Sequence, residues 1–228
     1  MNENKRFTPE TGPKKITLNE VIDSAREVPT AYKKLILEQE RRNVYLHQEF
    51  SEHWSPLVRE EWRDEFPVAR ALLKERLAGS LLVDLGAGRG SSSWIARAFG
   101  VTTYISVDRN AYDEDINPTV AIRREDQEEG LHQIDVRADM LDFVARMRDN
   151  QANFILNGID SAIIGRDYHE VLVQEIFRAT KPGGLVFGMG SEFPDIVEYL
   201  RRSKKNVPFK NKRSDLWLLG AFIYEKSE

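Results

Sequence analysis

The segment Leu81-Leu82-Val83-Asp84-Leu85-Gly86-Ala87-Gly88-Arg89-Gly90 constrains this chain more than any other. An apolar run carrying one acid passes into three glycines at alternate positions. Ser91 to Phe99 then reads as a helix closed by Gly100. A strand, a glycine turn and a helix start, in that order, bring backbone N–H groups and a helix N-terminus to one point, which suits a ligand. Glycine is needed there because a Cβ would hold the ligand away from the backbone. The spacing is D-x-G-x-G-x-G. It departs from the dinucleotide fingerprint G-x-G-x-x-G, whose third glycine falls on Ser91 here.

Beyond Gly100 the chain repeats the strand–helix rhythm. Val101 to Val107 alternates β-branched and aromatic residues and reads as a strand. It ends in Asp108 and Arg109, about 20 residues past the glycines, where an acid is placed to accept from ribose hydroxyls. Gln133–Val136, Asn153–Leu156 and Leu185–Met189 read as further strands. A helix from about His169 to Thr180 is stopped by Lys181-Pro182-Gly183-Gly184. Another starts at Ser191-Glu192-Phe193-Pro194 and runs to about Arg202. Leu216 to Tyr224 is the last strand, with Val207 to Lys210 as its expected partner. Such repeats imply a mainly parallel sheet with right-handed crossovers and a ligand site at the carboxyl ends of the strands.

The first third of the chain reads as helix. Residues 1–16 look like a flexible leader. Thr17-Leu18-Asn19-Glu20 is a capping box, and Leu18, Val21, Ile22 and Ala25 follow at helical spacing. Pro29 ends that helix, Thr30 starts one running to about Phe50, Ser55-Pro56 opens a third and Pro67 a fourth, closed by Gly79-Ser80.

Taken together, the glycine segment, the strand-end acid Asp108, Ala138-Asp139-Met140-Leu141 and the K-P-G-G before an apolar strand resemble the motifs of class I S-adenosylmethionine (SAM)-dependent methyltransferases. The resemblance covers residues 78–228. It implies an α/β fold: a seven-stranded, mainly parallel, doubly wound Rossmann-like sheet, ending in an antiparallel hairpin. It divides the chain into the leader, an N-terminal helical cap at 17–77 that covers the substrate pocket or makes a dimer contact, and a SAM-binding domain at 78–228. It also implies site roles. Gly86, Ala87, Gly88 and Gly90 form the cofactor loop and Asp84 helps hold the amino end of SAM. Asp108, with Arg109 beside it, holds the ribose. Asp139 accepts from the adenine amino group, and Met140 lies against the ring. Asn157 sits near the transferred methyl group.

The expected reaction is an in-line transfer of methyl to an oxygen or nitrogen of a small molecule. No metal and no protein nucleophile are needed, because SAM arrives activated. A base is needed only if the acceptor loses a proton; Asp160, after the fourth strand, and His169 are the candidates. Against these stand a turn-forming role for Asp160 and a water-facing one for His169. His53, Trp54, Tyr32 and Tyr45 are weighed as lid or cofactor contacts, Trp94 as packing, and His47 and His132 as lacking any metal pattern.

Composition narrows the alternatives. The 228 residues contain no cysteine, which excludes disulfides, thiolate metal sites and cysteine nucleophiles. No apolar run is long enough to span a membrane, and the polar first 15 residues carry no signal-peptide core, so a cytoplasmic protein, monomer or homodimer, is expected. A net charge of −4 argues against a general nucleic-acid binder. Arg201 to Arg213 nonetheless holds seven basic residues and no acid. An RNA methyltransferase is therefore the rival enzyme, although Asn157-Gly158-Ile159-Asp160 lacks the N-P-P-[YF] pattern of many amino-methylating nucleic-acid enzymes. A non-catalytic SAM-binding regulatory protein is the rival of another class. A nicotinamide oxidoreductase conflicts with Ser91.

Overall fold

Along each central strand, alternate side chains enter two separate apolar layers, so the sheet is buried on both sides. The computed structural model describes residues 15–42, 64–88, 92–109, 120–128, 130–157, 165–190, 192–203, 208–212 and 221–227. Its strands are β1 Leu81–Leu85, β2 Thr103–Asp108, β3 Ala121–Glu128, β4 Leu131–Arg137, β5 Asn153–Leu156, β6 Leu185–Met189, β7 Phe209–Asn211 and β8 Ala221–Lys226. They form one sheet in the order β3-β4-β2-β1-β5-β6-β8-β7. The five strands β4, β2, β1, β5 and β6 are parallel. β3, β8 and β7 pair antiparallel to their neighbours.

The expected α/β doubly wound architecture stands, and the sheet is eight-stranded and mixed rather than seven-stranded and mainly parallel. The additional strand is β3. Its sequence, AIRREDQE, offers no apolar alternation, so it carries no strand signal of its own. Backbone pairing makes it a strand: Glu128 opposes Leu131 across a two-residue connection, and Gly130 supplies the positive φ of +84° that such a hairpin needs. The final hairpin forms as expected, with β7 over 209–211 and β8 starting at Ala221; residues 213–220 lie outside the described ones.

On one face, Val83, Leu85, Ile105, Val107, Phe154 and Val186 pack against α5 (Met140–Arg146), α6 (Arg166–Ala179) and α7 (Glu192–Arg202). On the other, Leu82, Tyr104, Ile155, Phe187 and Ile223 pack against α3 (Pro67–Leu77) and α4 (Ser93–Ala98). Two cations close helix ends. Arg178 donates to the Val144 and Met147 carbonyls (both 2.7 Å), and Lys226 Nζ donates to those of Phe177 and Thr180 (both 2.7 Å). Carbonyls of the last turn lack regular helical partners, and these cations add hydrogen bonds to them.

The first N-terminal helix differs from expectation in length, while the expected course of the second beyond Arg42 to about Phe50 lies outside the described residues. The capping box forms, with Thr17 N donating to Glu20 Oε2 at 2.9 Å, but α1 is the single turn Leu18–Val21. Strand-like pairing then captures the chain. Ile22 bridges Met147, Asp23 N donates to the Arg146 carbonyl (2.8 Å) and Arg148 N to that of Val21 (3.0 Å). Ala25 is left exposed. α2 spans Thr30–Arg42 and runs along α6. Tyr32 donates to Glu175 at 3.0 Å, and Gln39 Oε1 accepts from Gly165 N at 3.3 Å, beside the start of α6. α3 begins at Pro67 as expected; the helix expected from Ser55-Pro56 lies outside the described residues.

Phe193 anchors the α7 side. It stacks on Phe222 (centroids 5.1 Å apart, planes 6° apart) and meets Phe177 and Tyr224 edge-on. Truncating a fully buried ring removes both its transfer energy and its neighbours' contacts. Phe193→Ala is expected to destabilise the protein by about 3–5 kcal/mol in equilibrium urea unfolding.

Candidate cofactor and substrate site

Parallel strands deliver their carboxyl ends to one edge of the sheet, where Gly86, Gly88, Asp108, Arg109, Asp139 and Met140 stand. The chain leaves β1 at Leu85 and turns through Gly86 (φ +72°) and Gly88 (φ +57°). Both angles lie where a Cβ is strained, which explains glycine at each. Gly86 N and Ala87 N donate to the Val107 carbonyl at 2.9 and 3.2 Å, tying the turn to β2. Among the described residues, a Cβ built on Gly88 would meet nothing within 4 Å. Gly90, the third glycine, lies outside the described residues.

Asp108 ends β2 and is partly exposed. Its Oδ2 accepts from Gly88 N at 2.7 Å, so the strand-end acid and the glycine turn are in direct contact. Arg109 follows, with its Nη1 4.0 Å from Asp139 Oδ2. Asp139 is buried as the N-cap of α5: Oδ1 accepts from Leu141 N (2.9 Å), Asp142 N (3.2 Å) and the Tyr168 hydroxyl (2.8 Å). Burial pushes its carboxyl pKa up; the Tyr168 hydrogen bond and the Arg109 charge oppose that rise. Met140 begins α5, partly buried against the layer beneath.

Asp84 lies under the turn with no solvent exposure. Its Oδ2 accepts from the Tyr104 hydroxyl at 2.6 Å and its Oδ1 from Asn157 Nδ2 at 2.9 Å. The same amide nitrogen lies 2.5 Å from Ser92 Oγ, and Ser92 also bonds the Asp84 carboxyl. Burial raises the Asp84 pKa from 3.8 to about 6, against the lowering effect of Tyr104, Ser92 and Asn157.

The other candidates separate. Asp160, Tyr45, His47, His53 and Trp54 lie outside the described residues. His169 is buried (1% exposed) instead of facing water, because α6 starts at Arg166 and carries it a full turn inward beside Tyr168, Leu172 and Val173. Tyr32 faces α6 and Trp94 packs with the α3 layer. His132, near the amino end of β4, lies 2.7 Å from Glu125 of β3.

The described part of the basic run stands at the opposite edge. α7 leaves the carboxyl end of β6 and ends at Arg202. Arg201 donates to the Phe209 carbonyl, and Phe209 pairs with Lys226 beside Gly183 and Gly184, before β6 begins. Eleven helical residues rise about 16 Å, so Arg201 and Arg202 are far from the glycine turn.

Tyr104, Ser92 and Tyr168 were not legible as site residues. Ser92 carries the one usable signal, a serine run just before a helix, where N-caps concentrate. Tyr104 reads as one aromatic of an alternating strand and Tyr168 falls just before the expected helix, and only the fold reveals that each hydroxyl meets a buried acid.

No protein-family model matches the chain, and no curated protein does either. Solved structures are similar to it at low identity. One, from Streptococcus mutans and provisionally named a SAM-dependent methyltransferase, is 15% identical over 70% of this chain and 48% of its own, with a TM-score of 0.42. The chain thus spans about half the length of that protein. Another, from Pyrococcus horikoshii and provisionally named an RNA methyltransferase, is 11% identical over 88% of this chain and 98% of its own (TM-score 0.45). A second Streptococcus mutans protein, provisionally named a methyltransferase and solved with S-adenosylhomocysteine (SAH), is 11% identical over 70% and 96% (TM-score 0.45).

Asp84 also dictates a pH dependence. The folded state keeps its proton up to about pH 6, whereas the unfolded chain releases it near 3.8. Unfolding between those values therefore frees a proton, and rising pH destabilises the fold until about pH 6. A shift of roughly two units corresponds to about 3 kcal/mol. Asp84→Asn lacks this titration. Its stability relative to the parent is expected to improve by up to about 3 kcal/mol from pH 4 to pH 6 in denaturant titrations, whatever its offset at pH 4.

Proposed function

We propose that this chain is a SAM-dependent methyltransferase acting on an oxygen or nitrogen atom of a small molecule. The carrying observation is the contact between the two halves of the cofactor signature: a positive-φ glycine turn after β1 and the β2-end carboxylate of Asp108, 2.7 Å from Gly88 N. When bound, SAM supplies a methyl group already activated on its sulfonium sulfur.

The chain's own residues then have binding and orienting work. The turn backbone at Gly86–Gly88 receives the amino-acid end. Asp108 accepts from the ribose hydroxyls, exchanging its hydrogen bond to Gly88 N for them. Asp139, locked by capping α5, fixes the adjacent Met140 as the wall of the adenine end. The end of α2, beside Gly165, supports the reading of the N-terminal helices as a cover over the substrate opening. Asp160, the first acid after β5, is the candidate base along the chain; His169 serves only if the acceptor reaches the inner side of α6. The net charge of −4 supports a small acceptor over RNA.

Two measurements test this. Calorimetric titration of SAH is expected to show binding that Asp108→Ala weakens by about 1.5–3 kcal/mol, the scale of hydrogen bonds to a charged group; unchanged affinity refutes the ribose role. In thermal-shift assays SAM is expected to raise Tm and NAD to leave it unmoved, since only a ligand bound by the folded state stabilises it.

A further inference from the structure

Asp84, Asn157, Ser92 and Tyr104 come from four elements and meet under the glycine turn. Asp84 belongs to β1 and Tyr104 to β2, Asn157 follows β5, and Ser92 is the N-cap of α4. Asp84, Ser92 and Tyr104 have no solvent exposure and Asn157 has 9%. The Asp84 carboxylate is thus shut off from solvent by its partners. Both oxygens of that carboxylate are engaged, by Tyr104 and by Asn157.

The connectivity explains why the cluster exists. Asp84 lies just before the glycines and Ser92 just after them. The Asn157 amide donates to one at 2.9 Å and to the other at 2.5 Å, so a single side chain joins the two flanks of the turn. Asn157 is itself fixed, since its own N–H donates to the Leu85 carbonyl at 3.1 Å. Ser92 in turn holds the first turn of α4, its carbonyl accepting from Ile95 N at 3.0 Å. A turn closed by backbone bonds alone would be free to spread at its base. This one is tied across its base by a buried, charge-assisted bridge.

Building on the methyltransferase reading above, we propose that Asp84, Asn157, Ser92 and Tyr104 are positioning residues that brace the glycine turn in its SAM-accepting shape without touching the cofactor. This replaces the role that family resemblance assigns to Asp84 and Asn157 with an indirect one. Loss of any donor leaves a buried carboxylate short of a partner, and the turn must rearrange to hydrate it. The expected signature is weaker cofactor binding with unimpaired chemistry once cofactor is saturating.

The test is calorimetric titration of SAH into the full-length protein and into Ser92→Ala, Asn157→Ala, the double variant and Tyr104→Phe. Circular dichroism checks that each is folded. Tyr104→Phe removes a single hydroxyl and keeps the ring packing, so it serves if the Asn157 variants fail to fold. Each single change is expected to weaken SAH by roughly ten-fold, the scale of one hydrogen bond to a charged group. The double variant should lose about as much as the worse single, because both break one bridge. In assays the KM for SAM should rise while kcat at saturation stays within about two-fold. Wild-type protein that binds SAH alongside variants that bind it equally well overturns the brace. So does a double variant whose losses multiply, or an SAH complex with its amino group on Asp84. Wild-type protein that binds neither SAM nor SAH overturns the methyltransferase reading, and the brace with it.

Discussion

A carboxyl group shut away from water organises this molecule. Asp84 stands at the end of the central strand with no exposure, and such a group is tolerated only when donors surround it. Those donors come from β2, from the residue after β5 and from the start of α4. Satisfying one acid therefore fixes the mutual height of three parallel strands and the entry of the first helix. The glycine turn inherits its position from that arrangement, as does Asp108 on the neighbouring strand.

Around this centre the two faces are stabilised differently. The α3–α4 side is an apolar layer with few polar intrusions beyond Asp84 and its partners. The α5–α6 side adds charged ties at the far edge. Arg178 reaches carbonyls of α5 as well as Asp149 and Glu175, and Lys226 reaches those of α6. These ties join α5, α6 and β8 into one unit, so that the carboxyl-end loops rest on a rigid base. The N-terminal segment is drawn into the same unit through Ile22 and Met147.

Much of the architecture was readable because burial leaves a period in the sequence. β1, β5 and β6 are short apolar runs and β2 and β4 alternate, and all five lie within two residues of the bounds their patterns imply. K-P-G-G stopped α6 where expected, with Gly183 at φ +64°. Failures occurred where long-range pairing, not local pattern, decides. β3 is a strand because β4 lies beside it, not because AIRREDQE prefers one. α1 stops after one turn because Met147 offers a backbone partner to Ile22, a contact 125 residues away in sequence. The glycine turn and its meeting with the strand-end acid were legible at Gly86, Gly88 and Asp108, where backbone geometry limits residue choice. The site was unreadable at Tyr104 and Tyr168, whose rings obey the apolar pattern while their hydroxyls serve acids on other elements.

The two margins of the sheet have a bearing on how separate copies behave. Unpaired strand edges are templates for intermolecular association. At one margin β3 presents Arg124, Glu125 and Asp126, with Arg124 and Asp126 paired to each other. At the other β7 is three residues long and carries exposed Lys210. Among the described residues, a stranger's backbone would have to strip hydration from charge on one side and would find almost no ladder on the other, which insulates those edges against aggregation.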